Sequence, residues 1–272
     1  MSNLITVIIP VHKYDETIEK YLVNAIKSIT YQEKIFNLPN LIIVSPPDVN
    51  EKLQSLDINK NQSFTLLVNE GDIDYQSQVN LAVDNITTDY FTVLEFDDEF
   101  SQTYIYNVEK YIFGYPAVDF FMPIIIEVTE NNEAIKTTNE SVWSQQIVGE
   151  NGELGFLNTN ALNQHTDFKL SGAIIKKQTF LDIGKYKVNI KLTFMYELLL
   201  RALNNACKIF TIPKIGYKHL GIRKDSMFDI LQVTMPIDER KFWFETAKNE
   251  ANFTNDRVID MSRLQMTVEE EK

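Results

Sequence analysis

The chain has 272 residues, 44% of them hydrophobic and 24% charged, which is enough to bury one substantial core or two fused ones and excludes a disordered or disulfide-stapled peptide. A formal net charge of -12 argues against nucleic acid as a partner, because phosphate-backbone binding depends on clustered Lys and Arg releasing counterions, though a local basic groove stays open. The single cysteine, Cys207, rules out an intrachain disulfide framework and reads as a core position in a reducing compartment.

The opening segment MSNLITVIIPVHKYDETIEK has neither the basic start nor the cleavage site of a secretory signal. No stretch reaches the roughly 18 apolar residues of a spanning helix, so a cytoplasmic protein with no transmembrane segment is expected. Leu4 to Val11 is a β-branched apolar run, the pattern of a strand covered on both faces, and Pro10 should end it. From Asp15 to about Thr30, Ile18, Leu22, Ala25, Ile26 and Ile29 recur at helical spacing, with Asp15 or Thr17 available as the cap. Strands follow at Leu41 to Val44, stopped by Ser45-Pro46-Pro47, and at Phe64 to Val68; Gln76 to Ile86 is a helix, and Tyr90 to Glu95 a fourth strand. Right-handed crossovers make these strands parallel, with Pro10, Ser45, Asn69 and Asp97 near the carboxyl edge where open α/β sheets bind ligands.

Phe120 to Val128 is a further apolar run, and the polar stretch Glu130 to Asn163 reads as irregular or hairpin structure over that edge. Lys177 to Ile183 is a short helix ended by a left-handed Gly184, Phe194 to Ala206 an amphipathic helix, and Lys208 to Ile212 a strand. Thr234 to Asn249 is a last helix with Pro236 in its first turn, and the tail Met266 to Lys272 should fray. Residues 1–128 are assigned to a first half, 129–232 to a second half of the same domain, and 233–272 to a helical extension.

The sharpest chemical signal is Glu95-Phe96-Asp97-Asp98-Glu99 at the end of a strand. Alternation lets Glu95 and Asp97 converge while Phe96 turns to the core. Such carboxylates suit Mg²⁺ or Mn²⁺, ions that bridge one or two carboxylates to substrate phosphates. Taken alone, the run reads more readily as a solvated acidic turn, since charge runs usually face water.

The order of segments resembles glycosyltransferase family 2 and its GT-A relatives, from about Ile5 to Ser226. The matching pieces are TVIIPVHKYDETIEKYLVNAIKSI, NEGDIDYQSQVNLAV, YFTVLEFDDEF, LSGAIIKKQTFLDIGKY and YELLLRAL followed by KIFTIP. The resemblance implies a Rossmann-like, mainly parallel sheet with flanking helices. It also implies transfer of a sugar from a nucleoside diphosphate, UDP first, to a glycan, protein or small-molecule acceptor. By the same resemblance, Pro10, Val11, His12, Asn69, Asn80 and Glu95 bind donor, while Asp97, Asp98 and His219 hold the metal, Asp98 also serving catalysis. Ser45 and Asp48 stand where relatives carry a base-binding aspartate pair. His219 and Arg223 fall where relatives place a loop closing over the diphosphate.

The helix at Phe194 departs most. Relatives often carry Glu-Asp at its start, the Asp being the base in inverting enzymes, and here those places hold Phe194-Met195. Glu197 is the nearest replacement base, its competing role being an i,i+4 pair with Arg201. His165 and Asp167 could face the acceptor or lie in an ordinary loop, and Trp143 and Trp243 read as packing. A catalytically impaired GT-A-like binding module is the alternative. A nucleotidylyltransferase fits poorly, since Pro10-Val11-His12-Lys13-Tyr14 lacks a glycine-rich loop.

Overall fold

A computed structural model describes residues 3–35, 37–54, 64–221, 230 and 233–264. Arg223 and the tail from 265 onward lie outside the described residues. In chain order the first half runs β1 (Ile5–Pro10), α1 (Glu16–Thr30), β2 (Asn40–Ser45), α2 (Pro47–Leu53), β3 (Thr65–Val68), α3 (Tyr75–Asn85), β4 (Tyr90–Val93), β5 (Glu99–Phe100) and α4 (Tyr104–Gly114). Then come β6 (Phe120–Val128), β7 (Ala134–Thr138), a 3-10 turn (Glu140–Trp143), α5 (Gln145–Val148), α6 (Thr159–Gln164), β8 (Ile174–Lys176), α7 (Lys177–Asp182), α8 (Phe194–Asn204), β9 (Ile209–Leu220) and α9 (Ile237–Glu250).

One sheet carries the order β3-β2-β1-β4-β8-β6-β9-β5, with β7 paired to β6. β3, β2, β1 and β4 are mutually parallel, as expected of right-handed crossovers, so their carboxyl ends share one edge. β8 runs antiparallel between β4 and β6, and β9 is parallel to β6. The period of two decides what each strand covers. Ile8, Ile42, Val44, Phe91 and Val93 pack on one face with α3 and α8. Val7, Ile9, Leu41, Ile43 and Leu94 pack on the other with α1 and α4. Each such aliphatic side chain taken from water contributes about 1.5–3 kcal/mol. Asp15 caps α1 by accepting from the Thr17 and Ile18 amides, and Gly184 closes α7 at φ +91°.

Three elements differ from the sequence expectations. Pro46-Pro47 does not only stop β2: Pro47 opens α2, where its missing N–H costs nothing. α4 buries Tyr104, Ile105, Val108 and Ile112, a helical spacing overlooked in the sequence. β9 extends past Ile212 to Leu220, because β6 and then β5 offer it partners, and Pro213 falls at a register shift where no ladder donor is needed. α9 packs on α8, and Trp243 is buried with Ile190 and Met235. Cys207 packs against the core, and no helix among the described residues is long and apolar enough to cross a membrane.

Candidate active site

The carboxyl end of β4 leads through Leu94 into a turn in which the Asp98 amide donates to the Glu95 carbonyl at 3.0 Å. β5 follows at once and pairs antiparallel with the end of β9, matching Glu99 to Lys218. That pairing brings His219 to Asp98: Nδ1 lies 2.9 Å from Oδ2 and 3.2 Å from Oδ1, and the Leu220 amide donates to Oδ1 at 2.9 Å. Glu95, Asp98 and His219 each offer a ligand atom, all within 4.8 Å of one another. His219 therefore belongs to a strand end and not to the loop the sequence suggested.

Two residues the sequence reading did not single out complete the setting. Ser171 donates its hydroxyl to Glu95 Oε1 at 2.6 Å, and the Glu95 amide donates to the Tyr217 hydroxyl at 3.1 Å. Gly172 makes this approach possible. Its φ is +70°, its amide donates to Val93 O at 3.0 Å, and a Cβ there would meet Tyr217 Cδ2 at 2.3 Å. The glycine in LSGAIIKK was the one available signal.

Electrostatics fit a cation. Burial and the Asp98 charge push the Glu95 pKa up, while His219, the Ser171 bond and Lys169 oppose that. Burial alone would lower the His219 pKa, but the Asp98 charge and hydrogen bond, with Glu95, raise it to about 9. The imidazole thus carries a proton among the carboxylates at neutral pH, a charge that a divalent ion would replace. Two hard oxygens and one imidazole nitrogen form a donor set suited to such an ion. Asp97 follows Glu95 half-buried and is not one of the converging three.

The glycosyl transferase family 2 profile matches residues 6–179. The chain belongs to that family. Two structures of S. aureus TarS residues 1–349 resemble it in fold. The one in complex with UDP is 14% identical with a TM-score of 0.61 and covers 90% of this chain and 71% of that chain. The other is 12% identical with a TM-score of 0.58 and covers 91% of this chain and 80% of that chain. No curated protein matches the chain by sequence.

Within this glycosyl transferase, Pro10 and Val11 end β1 at the sheet edge, and the Val11 amide donates to Val44 O at 2.8 Å. The His12 ring lies 5.8 Å from Phe96, placing it over the acidic turn. Ser45 is buried at the end of β2, within 3.4 Å of Asn50 Nδ2, and Asp48 is exposed in the first turn of α2. Asn69 is occupied in its own loop, accepting from the Gly71 amide at 3.0 Å and donating to Asp72 O at 2.7 Å. Asn80 clamps the backbone of Tyr186, donating to its carbonyl at 2.8 Å and accepting from its amide at 3.0 Å. Its side chain is thus engaged by protein instead of pointing freely to donor. His165 is exposed at the end of α6, and Asp167 pairs with Lys136 at 2.7 Å.

Glu197 requires a correction. Its side chain is 0% exposed and accepts from Arg201 Nε and Nη2, both at 2.8 Å, with Lys187 Nζ at 3.2 Å. Arg201 also donates to the carbonyls of Ile183 and Lys185, and Lys187 to that of Glu250. A carboxylate so enclosed by two cations is a structural anchor and cannot meet an acceptor. The i,i+4 spacing to Arg201 had signalled this role.

Proposed function

We propose that this glycosyl transferase moves a sugar from a nucleoside diphosphate, UDP first, to an acceptor hydroxyl or similar nucleophile with the help of Mn²⁺ or Mg²⁺. The observation carrying the reading is the convergence of Glu95, Asp98 and His219 at the carboxyl end of β4 in a family 2 chain. The UDP bound in the TarS structure of similar fold favours uridine as the base. Glu95, Asp98 and His219 would hold the ion, with Asp97 beside them. When bound, it would supply charge neutralisation for the diphosphate leaving group.

Tyr217 and Ser171 hold the Glu95 backbone and side chain in register with Asp98, so the site is pre-organised before substrate arrives. Pro10 and Val11 form the edge for the base, with His12, Ser45 and Asp48 around it and Arg223 as the contributor from outside the described residues. Residues 1–128 carry the donor side, 129–232 the acceptor side, and 233–272 form the C-terminal extension, in which α9 packs on α8. Because Glu197 is enclosed, inversion through it is set aside. A binding module that no longer turns over is the second reading, favoured by Phe194-Met195 at the base position together with that enclosure.

Incubation with Mn²⁺ and a panel of UDP-sugars, following UDP release, separates the two. Release above the no-enzyme rate supports the transferase. Metal-dependent UDP binding without release of UDP from any sugar nucleotide supports the binding module.

A further inference from the structure

The acidic turn takes up the carboxyl end of β4, and a cavity of about 550 Å³ opens at the opposite end of the sheet. Asn204 and Asn205, which end α8, line it, and the chain then enters β9 at Ile209. Ile209, Phe120, Ile175 and Phe91 form one row across β9, β6, β8 and β4. The end of α8 is therefore level with the start of β4, a strand's length from Glu95 and Asp98.

Two helices end at this cavity. Thr193, just before α8, donates to Trp243 O at 2.8 Å, and Asn204, at its end, donates to Ala251 O at 3.0 Å, so α8 and α9 run side by side in the same direction. The segment after α9 supplies the rest of the lining, with Asn252, Phe253, Thr254 and Asn255. Arg257 closes it. Its Nε and Nη2 donate to Glu250 at 3.1 and 2.6 Å, and its guanidinium carbon lies 3.5 Å from the Phe253 ring centroid.

The lining selects against ions. Among the described residues no carboxylate lines the cavity, which leaves a cation without a counter-charge. Glu250 neutralises the lone guanidinium, and the negative ends of two helix dipoles disfavour an anion. What is left is amide chemistry. Asn204 and Asn205 spend their Nδ2 groups on the carbonyls of Ala251 and Arg201, and their Oδ1 atoms accept from no described residue. Asn255 is exposed and makes no hydrogen bond among the described residues, so its amide offers both a donor and an acceptor. Arg257 keeps Nη1 as a further donor, and Phe253, 39% exposed, adds an aromatic wall. Acceptors and donors side by side, with a ring next to them, match a ligand that carries neighbouring hydroxyls and C–H faces. The volume falls within the roughly 300–1,000 Å³ of small-ligand sites.

We propose that this cavity binds a neutral hexopyranose, alone or as part of a disaccharide, at a site separate from the carboxylate cluster. The Asn204 and Asn205 oxygens accept from its hydroxyls, Asn255 and Arg257 donate to its oxygens, and Phe253 packs against its C–H groups. The inference stands on the lining alone and holds whether or not Glu95, Asp98 and His219 bind a metal.

The test is saturation-transfer NMR on the full chain, without metal or nucleotide, using methyl glucoside, methyl galactoside, methyl N-acetylglucosaminide and maltose. Two variants, Asn255→Ala and Asn255→Trp, respectively remove the free amide and fill the cavity. Because Asn255 is exposed and bonded to nothing described, both keep the fold, which their melting temperatures check. At least one saccharide should give a signal on wild type. Its affinity should fall by about two- to tenfold in Asn255→Ala, the range of one neutral hydrogen bond, and the signal should vanish in Asn255→Trp. The signal should persist in Asp98→Asn and in excess inorganic phosphate. Silence from all four saccharides, or binding unchanged in either Asn255 variant, overturns the site. So does loss of the signal in Asp98→Asn, which places the sugar at the catalytic end, or displacement by phosphate, which makes the cavity an anion site.

Discussion

Glu197→Gln is expected to unfold this protein more readily without touching chemistry. The wild-type carboxylate is fully buried, accepts two bonds from Arg201 and meets Lys187, itself 1% exposed. An amide keeps the shape and one acceptor oxygen but leaves two cations facing a neutral group. Breaking a buried ion pair by removing one partner costs about 3–5 kcal/mol. At about 2–3 °C per kcal/mol for a chain of this size, the melting temperature should fall by about 6–15 °C. Burial already holds the Lys187 pKa below its usual value, with Arg201 adding to that and Glu197 opposing it. Without Glu197 it should fall further. A lysine that binds fewer protons folded than unfolded makes stability rise with pH, so the deficit of the variant should shrink between pH 7 and pH 9.5. Differential scanning fluorimetry across that range measures both effects. A melting temperature within a degree of wild type, or loss of transfer at unchanged stability, would refute the anchor role and return Glu197 to candidacy as a base.

Gly172→Ala should lower both the melting temperature and metal-dependent nucleotide affinity, since the added carbon meets the Tyr217 ring in a backbone at φ +70°. The left-handed conformation alone costs about 1–2 kcal/mol, and unchanged calorimetric binding of UDP with Mn²⁺ would contradict the route from Gly172 through Tyr217 to Glu95. Burial lifts the Cys207 thiol to about 11, with Asp119 and Asp182 adding to it. At pH 8 only about one thiol in a thousand is then ionised, so native protein should resist iodoacetamide and denatured protein should react, as mass spectrometry can follow.

Much of the architecture of the first half was legible because local signals agreed with one another. The β1 run, the Asp15 cap and the apolar spacing of α1 each stated one element, and parallel pairing of β1, β2, β3 and β4 followed from short crossovers. The acidic turn was legible too, but which members converge was not, because it depends on β5 turning back to pair with the far end of β9. That long-range pairing selects Asp98 with His219 and brings Tyr217 to the Glu95 backbone. α4 went unseen although its spacing was present, whereas β9 was cut short at Pro213 because a proline normally ends a central strand. Glu197 and Asn80 show how a polar residue in a family position can be taken up by local structure. Their partners, Lys187 and the Tyr186 backbone, stand on segments whose approach no sequence period encodes.

The central claim, that Glu95, Asp98 and His219 hold a divalent ion against a nucleoside diphosphate, is tested most directly by titrating UDP into wild type and Asp98→Asn with and without Mn²⁺. The Leu220 amide can still find an oxygen in Asp98→Asn, so the fold should persist while half of the carboxylate pair loses its charge. The account predicts that Mn²⁺ strengthens UDP binding to wild type by at least about tenfold, worth about 1.4 kcal/mol, and that Asp98→Asn abolishes this gain. UDP affinity that is the same with and without Mn²⁺ in wild type, or an equal gain in Asp98→Asn, would contradict it.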